Sequence, residues 1–204
     1  MGNSGPSMLN NVTSSCSVYV ALLHHSMNDK RGTVVTTAVT NLDIHDIARS
    51  SRTFGVKGYY LVNPLEEQQA VVKRIVGHWM GSGGRDYNPD RSEAFSLITI
   101  SAWLKDAIAD VEQKHGKKPL VVMTSARKVE GVRWLSAEKF RAEIPKLDQA
   151  VLLVFGTGWG MTEELLRSAD LVLEPIVPEV ESAYNHLSVR SAVAIYLDRL
   201  LGKR

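Results

Sequence analysis

The sequence predicts an α/β fold, a mainly parallel sheet with helices on both faces. Three observations predict it. From Ser17 onward, short apolar runs alternate with longer amphipathic stretches, the order that a parallel sheet with helical crossovers produces. Val151 to Phe155 (VLLVF) is apolar at every position, as a strand covered on both faces must be. The composition is that of an ordinary globular chain, with 44% hydrophobic and 23% charged residues, which excludes a disordered or collagen-like polymer. The 204 residues fit one domain with a sizeable core, expected over residues 15–204. Residues 1–14 (MGNSGPSMLNNVTS) have neither the charged nor the apolar region of a signal peptide and are expected to be disordered or tag-derived.

Taken in order, Val18 to Leu23 (VYVALL) is the first strand. A turn-rich stretch follows, HHSMNDKRGT, and then VVTTAV, either a short strand or an extended approach to the first helix. From Asp43 to Phe54 the residues Ile44, Ile47, Ala48 and Phe54 share one helical face, leaving His45, Asp46, Arg49 and Arg52 elsewhere. Gly58 to Val62 is the second strand, and Asn63-Pro64 predicts a helix start with Asn63 as cap, Pro64 at the first position and Glu66 three residues beyond the cap. Val71, Val72, Ile75, Val76 and Trp79 carry that helix's apolar stripe. GSGGRDYNPDR is polar and rich in glycine, and is expected as an exposed loop. Leu97 to Ile100 is a strand, Ala102 to Lys114 a helix and Leu120 to Met123 a strand entered through Pro119. After VLLVF, Thr162 caps a helix whose positive end Glu163 and Glu164 complement. Leu171 to Leu173 is the last strand. The final helix runs from about Ser188 to Gly202, with Val189, Val193, Tyr196, Leu197 and Leu200 on one side.

Charge and cysteine content narrow the function. With 24 Lys+Arg against 22 Asp+Glu the net charge is +2, too small for nucleic-acid binding by bulk charge alone, so any RNA or DNA must be gripped locally. Cys16 is the only cysteine, which excludes an internal disulfide framework and a zinc site built on several thiolates, and a reducing cytoplasmic setting is expected. No apolar run is long enough to cross a bilayer.

Three segments carry possible chemistry. Gly156-Thr157-Gly158-Trp159-Gly160 lies between a buried strand and a helix, where glycines let backbone approach a ligand closely or supply a tight turn. It does not read as a dinucleotide site: the motif is late, its third spacing is wrong, and Glu163 and Glu164 stand where a pyrophosphate needs positive potential. In Asn41 to Arg49, Asp43, Asp46 and Arg49 lie along one helix edge and His45 and Arg49 are an i, i+4 pair, either an exposed ion-pair row or a site with Arg49 as an oriented cation. Glu174-Pro175-Ile176-Val177-Pro178 then leads to Tyr184-Asn185-His186-Leu187-Ser188-Val189-Arg190-Ser191, which serves as a helix cap or as a set of donors with a stacking face.

Together these segments resemble the SPOUT RNA methyltransferases. IHDIARSSRTFGVKGYYLVNP is similar to the first motif of the TrmH-like branch, LVFGTGWGM to the second, and EPI with YNHLSVRSAVAIYLDRLLG to the third. The resemblance covers about Val18 to Gly202, and TNLDIHDIAR, YNPDR, FGTGWG and YNHLSVRSA match a bacterial subfamily similar to the C-terminal part of tRNA (guanine-N1)-methyltransferases. Asp43-Ile44-His45 stands where ribose methyltransferases have Asn-Ile-Gly, and one extra residue separates Asn185 from Ser188, so guanine N1 and a ribose 2′-hydroxyl both stay open as acceptor.

The resemblance implies a C-terminal deep trefoil knot in which the segment after Pro178 threads the stretch between Thr124 and Gly156. It implies S-adenosylmethionine as cofactor, an RNA substrate that is expected to be tRNA, a homodimer sharing its site between subunits, and no metal or membrane. The implied cofactor residues are Thr124, Ser125 and Ala126; Phe155, Gly156, Thr157, Gly158 and Gly160; and Ile176, Leu187 and Ser188. Adenine is uncharged, so backbone groups and apolar neighbours suffice to read it. Methyl transfer requires an aligned nucleophile that loses a proton. Arg49 is implied as the cation at the transfer site, Asp43 or His45 as the base and Asn185 as the group that orients the acceptor. Lys30, Arg31, Lys57, Arg85 and Arg91, with Tyr87 and Trp79, are candidates for RNA contact. A non-catalytic knotted dimer that binds S-adenosylmethionine and RNA is the competing expectation.

Overall fold

β1 (Val18–Leu23) is buried at every position, because it lies between two parallel neighbours and has helices over both faces. In the computed structural model, which describes residues 16–180 and 184–204, β1 pairs with β4 (Tyr59–Val62) on one side and with β8 (Val151–Gly156) on the other. β5 (Ile98–Ser101) pairs with β4, and β6 (Leu120–Thr124) with β8. β9 (Leu171–Leu173) lies between β6 and β7 (Trp134–Leu135). The result is a seven-stranded sheet of order β5-β4-β1-β8-β6-β9-β7 with every pairing parallel. The expected α/β class with a mainly parallel sheet is therefore present. The expectation for residues 1–14 lies outside the described residues.

Alternation along each strand divides the core in two. Val18, Val20 and Leu22 face one side with Leu61, Leu153 and Phe155. They pack against α1 (Asn41–Thr53), α2 (Glu66–Met80), α4 (Pro89–Phe95), α6 (Ala137–Glu143) and α8 (Val189–Leu201) through Ile44, Val72, Phe95, Phe140 and Leu197 among others. Tyr19, Ala21 and Leu23 face the other side with Tyr60, Met123 and Val154, under α5 (Leu104–His115) and α7 (Glu163–Arg167). A two-stranded hairpin of β2 (Met27–Asn28) and β3 (Val34–Val35) stands above the carboxyl end of β1.

The helix ends follow the side chains available to cap them. Thr162 accepts from the Leu165 N–H, as its sequence position predicts, Ser188 from Ser191, and Thr40, which the sequence reading did not single out, from Asp43. Asn63 does not cap α2. It is fully buried, its Oδ1 accepts from the Leu65 N–H and its Nδ2 donates to the Thr37 carbonyl, so its amide ties β4 to the segment after β3. α2 accordingly begins at Glu66, beyond Pro64, and buries only Val72 completely, leaving Val71 exposed.

GSGGRDYNPDR is not a loop. It forms α3 (Ser82–Tyr87) and the start of α4, with Asn88 as a side-chain cap and Pro89 in the first turn. Gly84 allows this: a Cβ there would stand 2.5 Å from the His78 carbonyl oxygen and 2.7 Å from the Trp79 Cα. Between β6 and β8, β7, α6 and a 3-10 turn (Ile144–Lys146) occupy a stretch for which periodicity had predicted no element.

Candidate functional site

The carboxyl ends of β6, β8 and β9 open toward the first turns of α8, and together they enclose a cavity of about 530 Å³. Such a volume accommodates a ligand of cofactor size. The β8–α7 loop forms one wall. Gly156 has no room for a side chain, since a Cβ would lie 2.6 Å from Met161 Cγ, and Gly158 and Gly160 hold φ angles of +58° and +94°. The glycines thus serve both as a turn and as the close wall of a cavity.

The loop is anchored to the hairpin. The Trp159 N–H donates to the Asn28 carbonyl at 3.2 Å, and the Asn28 N–H donates to the Gly160 carbonyl at 2.8 Å. The β6–β7 loop forms the second wall, where Ser125 Oγ donates to the Arg127 carbonyl and the Arg127 guanidinium reaches across to the Trp159 carbonyl at 3.2 Å. The stretch after β9 forms the third with Ile176, Asn185, His186 and Leu187. The Tyr196 ring closes the floor beside Phe155, its hydroxyl donating to the Glu174 carbonyl at 2.6 Å and its phenol pushed up to about 12 by burial.

The cavity therefore gathers Thr124, Ser125, Ala126, Phe155, Gly156, Gly158, Gly160, Ile176 and Leu187 from the sequence-predicted set, together with Asn185. Thr157 and Ser188 do not line it. The Thr157 hydroxyl donates to the Leu23 carbonyl and lies 2.5 Å from the Thr37 hydroxyl, while Ser188 is occupied in capping α8. Arg127, Trp159, Met161, His186, Val189, Ala192 and Tyr196 line the cavity without having been singled out as cofactor contacts. For Val189, Ala192 and Tyr196 the helical spacing i, i+3, i+7, starting just after the Ser188 cap, was an available signal.

The other predicted residues lie elsewhere. Arg49, exposed and without an ion-pair partner among the described residues, borders an open hollow of about 420 Å³ between α1 and α8, with Asp46, Ser50, Thr53, Arg190 and Ser191. Asp43 is buried in the first turn of α1. It accepts from Thr40 Oγ1 at 2.6 Å and lies 3.6 Å from the Arg190 guanidinium, which also lies 3.5 Å from Asp46. His45 packs edge-on against Phe95 and Trp79 at ring distances of 4.7 and 5.6 Å. Burial and the nearby Arg91 and Arg49 hold its imidazole below the ordinary range. Arg91 itself stacks over Trp79 at 4.4 Å. Neither Asp43 nor His45 lines the cavity. Among the described residues, no cluster of three or more His, Cys, Asp or Glu is arranged to hold a metal, and no helix is long and apolar enough to cross a membrane.

Comparison with known proteins adds three likenesses and a family match. The model of a family described as SAM-dependent RNA methyltransferase matches residues 17–202. An uncharacterized protein of Aquifex aeolicus is 41% identical over 189 residues, covering 91% of this chain and 89% of its own. A tRNA (guanine-N(1)-)-methyltransferase of Oleidesulfovibrio alaskensis is 40% identical over 185 residues, covering 91% of this chain, and the match spans only 42% of that relative's length. Among solved structures, TrmJ from Z. mobilis shares the fold, with a TM-score of 0.59 over 93% of this chain and 69% of that chain at 15% identity.

Proposed function

The chain belongs to the SAM-dependent RNA methyltransferases, and on that premise we propose that it methylates tRNA, at guanine N1 or a ribose 2′-hydroxyl, in the cytoplasm. The cavity among three strand ends carries this reading, because its walls fit S-adenosylmethionine. Ile176, Leu187 and Phe155 offer apolar faces for an uncharged adenine, and Gly156, Gly158 and Gly160 bring backbone to the wall. Arg127 is the one Lys, Arg, Asp or Glu side chain among the described lining residues, so no phosphate cradle competes. The cofactor, when bound, supplies an electrophilic methyl group on sulfur. The protein's part is to hold the acceptor in line with it and to manage charge.

Asn185, on the cavity wall, orients the acceptor. Arg49 supplies the cation that favours the deprotonated acceptor, an anion at guanine O6 or at the ribose oxygen. Because Arg49 borders the α1–α8 hollow and not the cavity of its own chain, the site is completed in a homodimer, each Arg49 serving the other subunit's cavity. Asp43 contributes by fixing Arg190 beside Arg49 in that hollow. A SPOUT-type knot fits the strand order: β9 is inserted between β6 and β7, with Val129 and Val132 of their connection on one face and α6 on the other.

Arg49→Ala is expected to abolish methyl transfer to total tRNA, measured with tritiated S-adenosylmethionine, while calorimetry shows the cofactor still bound. Retained transfer, or parallel loss of both, contradicts this role. Co-expressing Arg49→Ala with Asn185→Ala chains is expected to restore part of the activity through mixed dimers. An inactive mixture rules out the shared site.

A further inference from the structure

We propose that Trp159 is the surface on which an unpaired base of the RNA substrate stacks at the mouth of the cavity, with Lys30, Arg31 and Arg127 holding the adjoining phosphates. The inference rests on the RNA methyltransferase reading above and concerns how the RNA is held.

Trp159 is 57% exposed although it lines the cavity. An exposed tryptophan on a loose loop is unremarkable, but this one is fixed. Its N–H donates to Asn28, its carbonyl accepts from Arg127, and it stands between two glycines in the left-handed region. A Cβ at Gly158 would meet Thr37 Cγ2 at 3.1 Å and the Asn28 carbonyl at 3.3 Å, so the loop is pressed against the hairpin. Little ordering is left to be done when a ligand arrives.

Basic side chains lie on the two segments that anchor the Trp159 loop, the hairpin and the β6–β7 loop, while Glu163 of the following helix is paired with Arg167. Lys30 and Arg31 are exposed at the tip of the hairpin whose Asn28 holds the tryptophan loop, two and three residues from that contact, or about 7–11 Å of chain. Asp29, the acid that precedes them, is spent on the turn: its Oδ1 accepts the Arg31 and Thr33 N–H groups at 2.7 and 2.8 Å. Among the described residues Lys30, Arg31 and Arg127 form no ion pair with a carboxylate. An exposed aromatic side chain on an anchored loop, with cations free of carboxylate partners on the segments that hold it, is complementary to a single-stranded nucleotide, whose base stacks and whose phosphates are anionic. It also explains how a chain of net charge +2 grips RNA without a broad basic surface.

The test compares Trp159→Ala, Trp159→Phe and the double variant Lys30→Ala/Arg31→Ala. The probes are a short single-stranded RNA of mixed sequence and total tRNA, followed by fluorescence anisotropy, with calorimetry for S-adenosylmethionine and sedimentation for oligomeric state. Trp159→Ala is expected to weaken RNA binding about ten- to hundredfold and to raise KM for tRNA, with a much smaller effect on cofactor affinity, Trp159→Phe to recover most of the loss, and Lys30→Ala/Arg31→Ala, whose residues do not line the cavity, to leave cofactor affinity unchanged. The double variant is expected to lower the salt dependence of RNA binding by about one unit of slope per cation removed. RNA affinity untouched by Trp159→Ala overturns the proposal. A parallel loss of cofactor affinity overturns it by assigning the ring to the cofactor, and a change in sedimenting mass does so by assigning it to a second copy of the chain. If the parent binds RNA through Trp159 but transfers no methyl group, the stacking site stands and the methyl-transfer reading fails.

Discussion

His24, fully buried at the end of β1, places its Nδ1 3.2 Å from the Val62 carbonyl and leaves its Nε2 without a hydrogen-bond partner. A carbonyl accepts only, so Nδ1 carries the proton and the ring is neutral. Burial holds its pKa below the ordinary histidine range, and the Val62 carbonyl and Asp43 offset this in part. The unfolded chain therefore takes up the proton first as pH falls. Stability from this group is full above the unfolded pKa of about 6.5 and declines as the pH drops from there toward the lower folded value. His45 is shifted in the same direction and adds to the effect. Urea midpoints are expected to fall as the pH drops below about 6.5, and less steeply in His24→Gln. An equally steep fall in that variant refutes the assignment. Asp43 and His45, the alternatives for the base, are two residues apart on a helix, about 200° around its axis, so one is turned to Arg190 and the other to Phe95. Thr157 and Ser188 are engaged by backbone groups nearer to them than the cavity.

At the scale of elements, strands with a strong apolar run were legible, and so were the starts of α7 and α8. β1, β8 and β9 begin and end within a residue of where VYVALL, VLLVF and LVL place them, and Thr162 and Ser188 cap as expected. GSGGRDYNPDR was not legible, because its helices are imposed by packing on α2 against the propensity of their glycines. A paired substitution separates the two influences. Gly84→Ala must displace backbone of α2, since the clashing atoms are the His78 carbonyl oxygen and Trp79 Cα, and is expected to cost about 1–3 kcal/mol. Gly83→Ala, with nothing within 4 Å of its Cβ, is expected to be neutral or to stabilise by up to about 1 kcal/mol through helix propensity. Denaturant midpoints measure both, and equal effects at the two positions would show that α3 is not held by its approach to α2. The β7 and α6 region escaped notice for a related reason: β7 is two residues long and gains its place by pairing with β9, far away in sequence.

The whole molecule brings together what no local pattern reveals, because the cavity is assembled by strand order. Thr124, Gly156 and Ile176 meet only because β8 enters the sheet between β1 and β6, and β9 between β6 and β7. α8 then serves two sides at once, with Ala192 and Tyr196 on the cavity and Arg190 and Ser191 on the hollow that holds Arg49. A ligand in the cavity thus bridges the ends of three central strands and the C-terminal helix, so it must stabilise the fold as a unit and not a single loop. S-adenosylmethionine at about one hundred times its Kd contributes about 2.7 kcal/mol, which for a chain of this length is a rise of about 5–11 °C in Tm. Leu187→Lys places a charge on the wall at a half-exposed position. It is expected to leave the ligand-free Tm near that of the parent and to remove most of the rise. A parent without a thermal shift would mean that this cavity does not hold the cofactor. A full shift in Leu187→Lys would place the cofactor away from the segment that follows β9, and the three-wall construction of the site would be wrong.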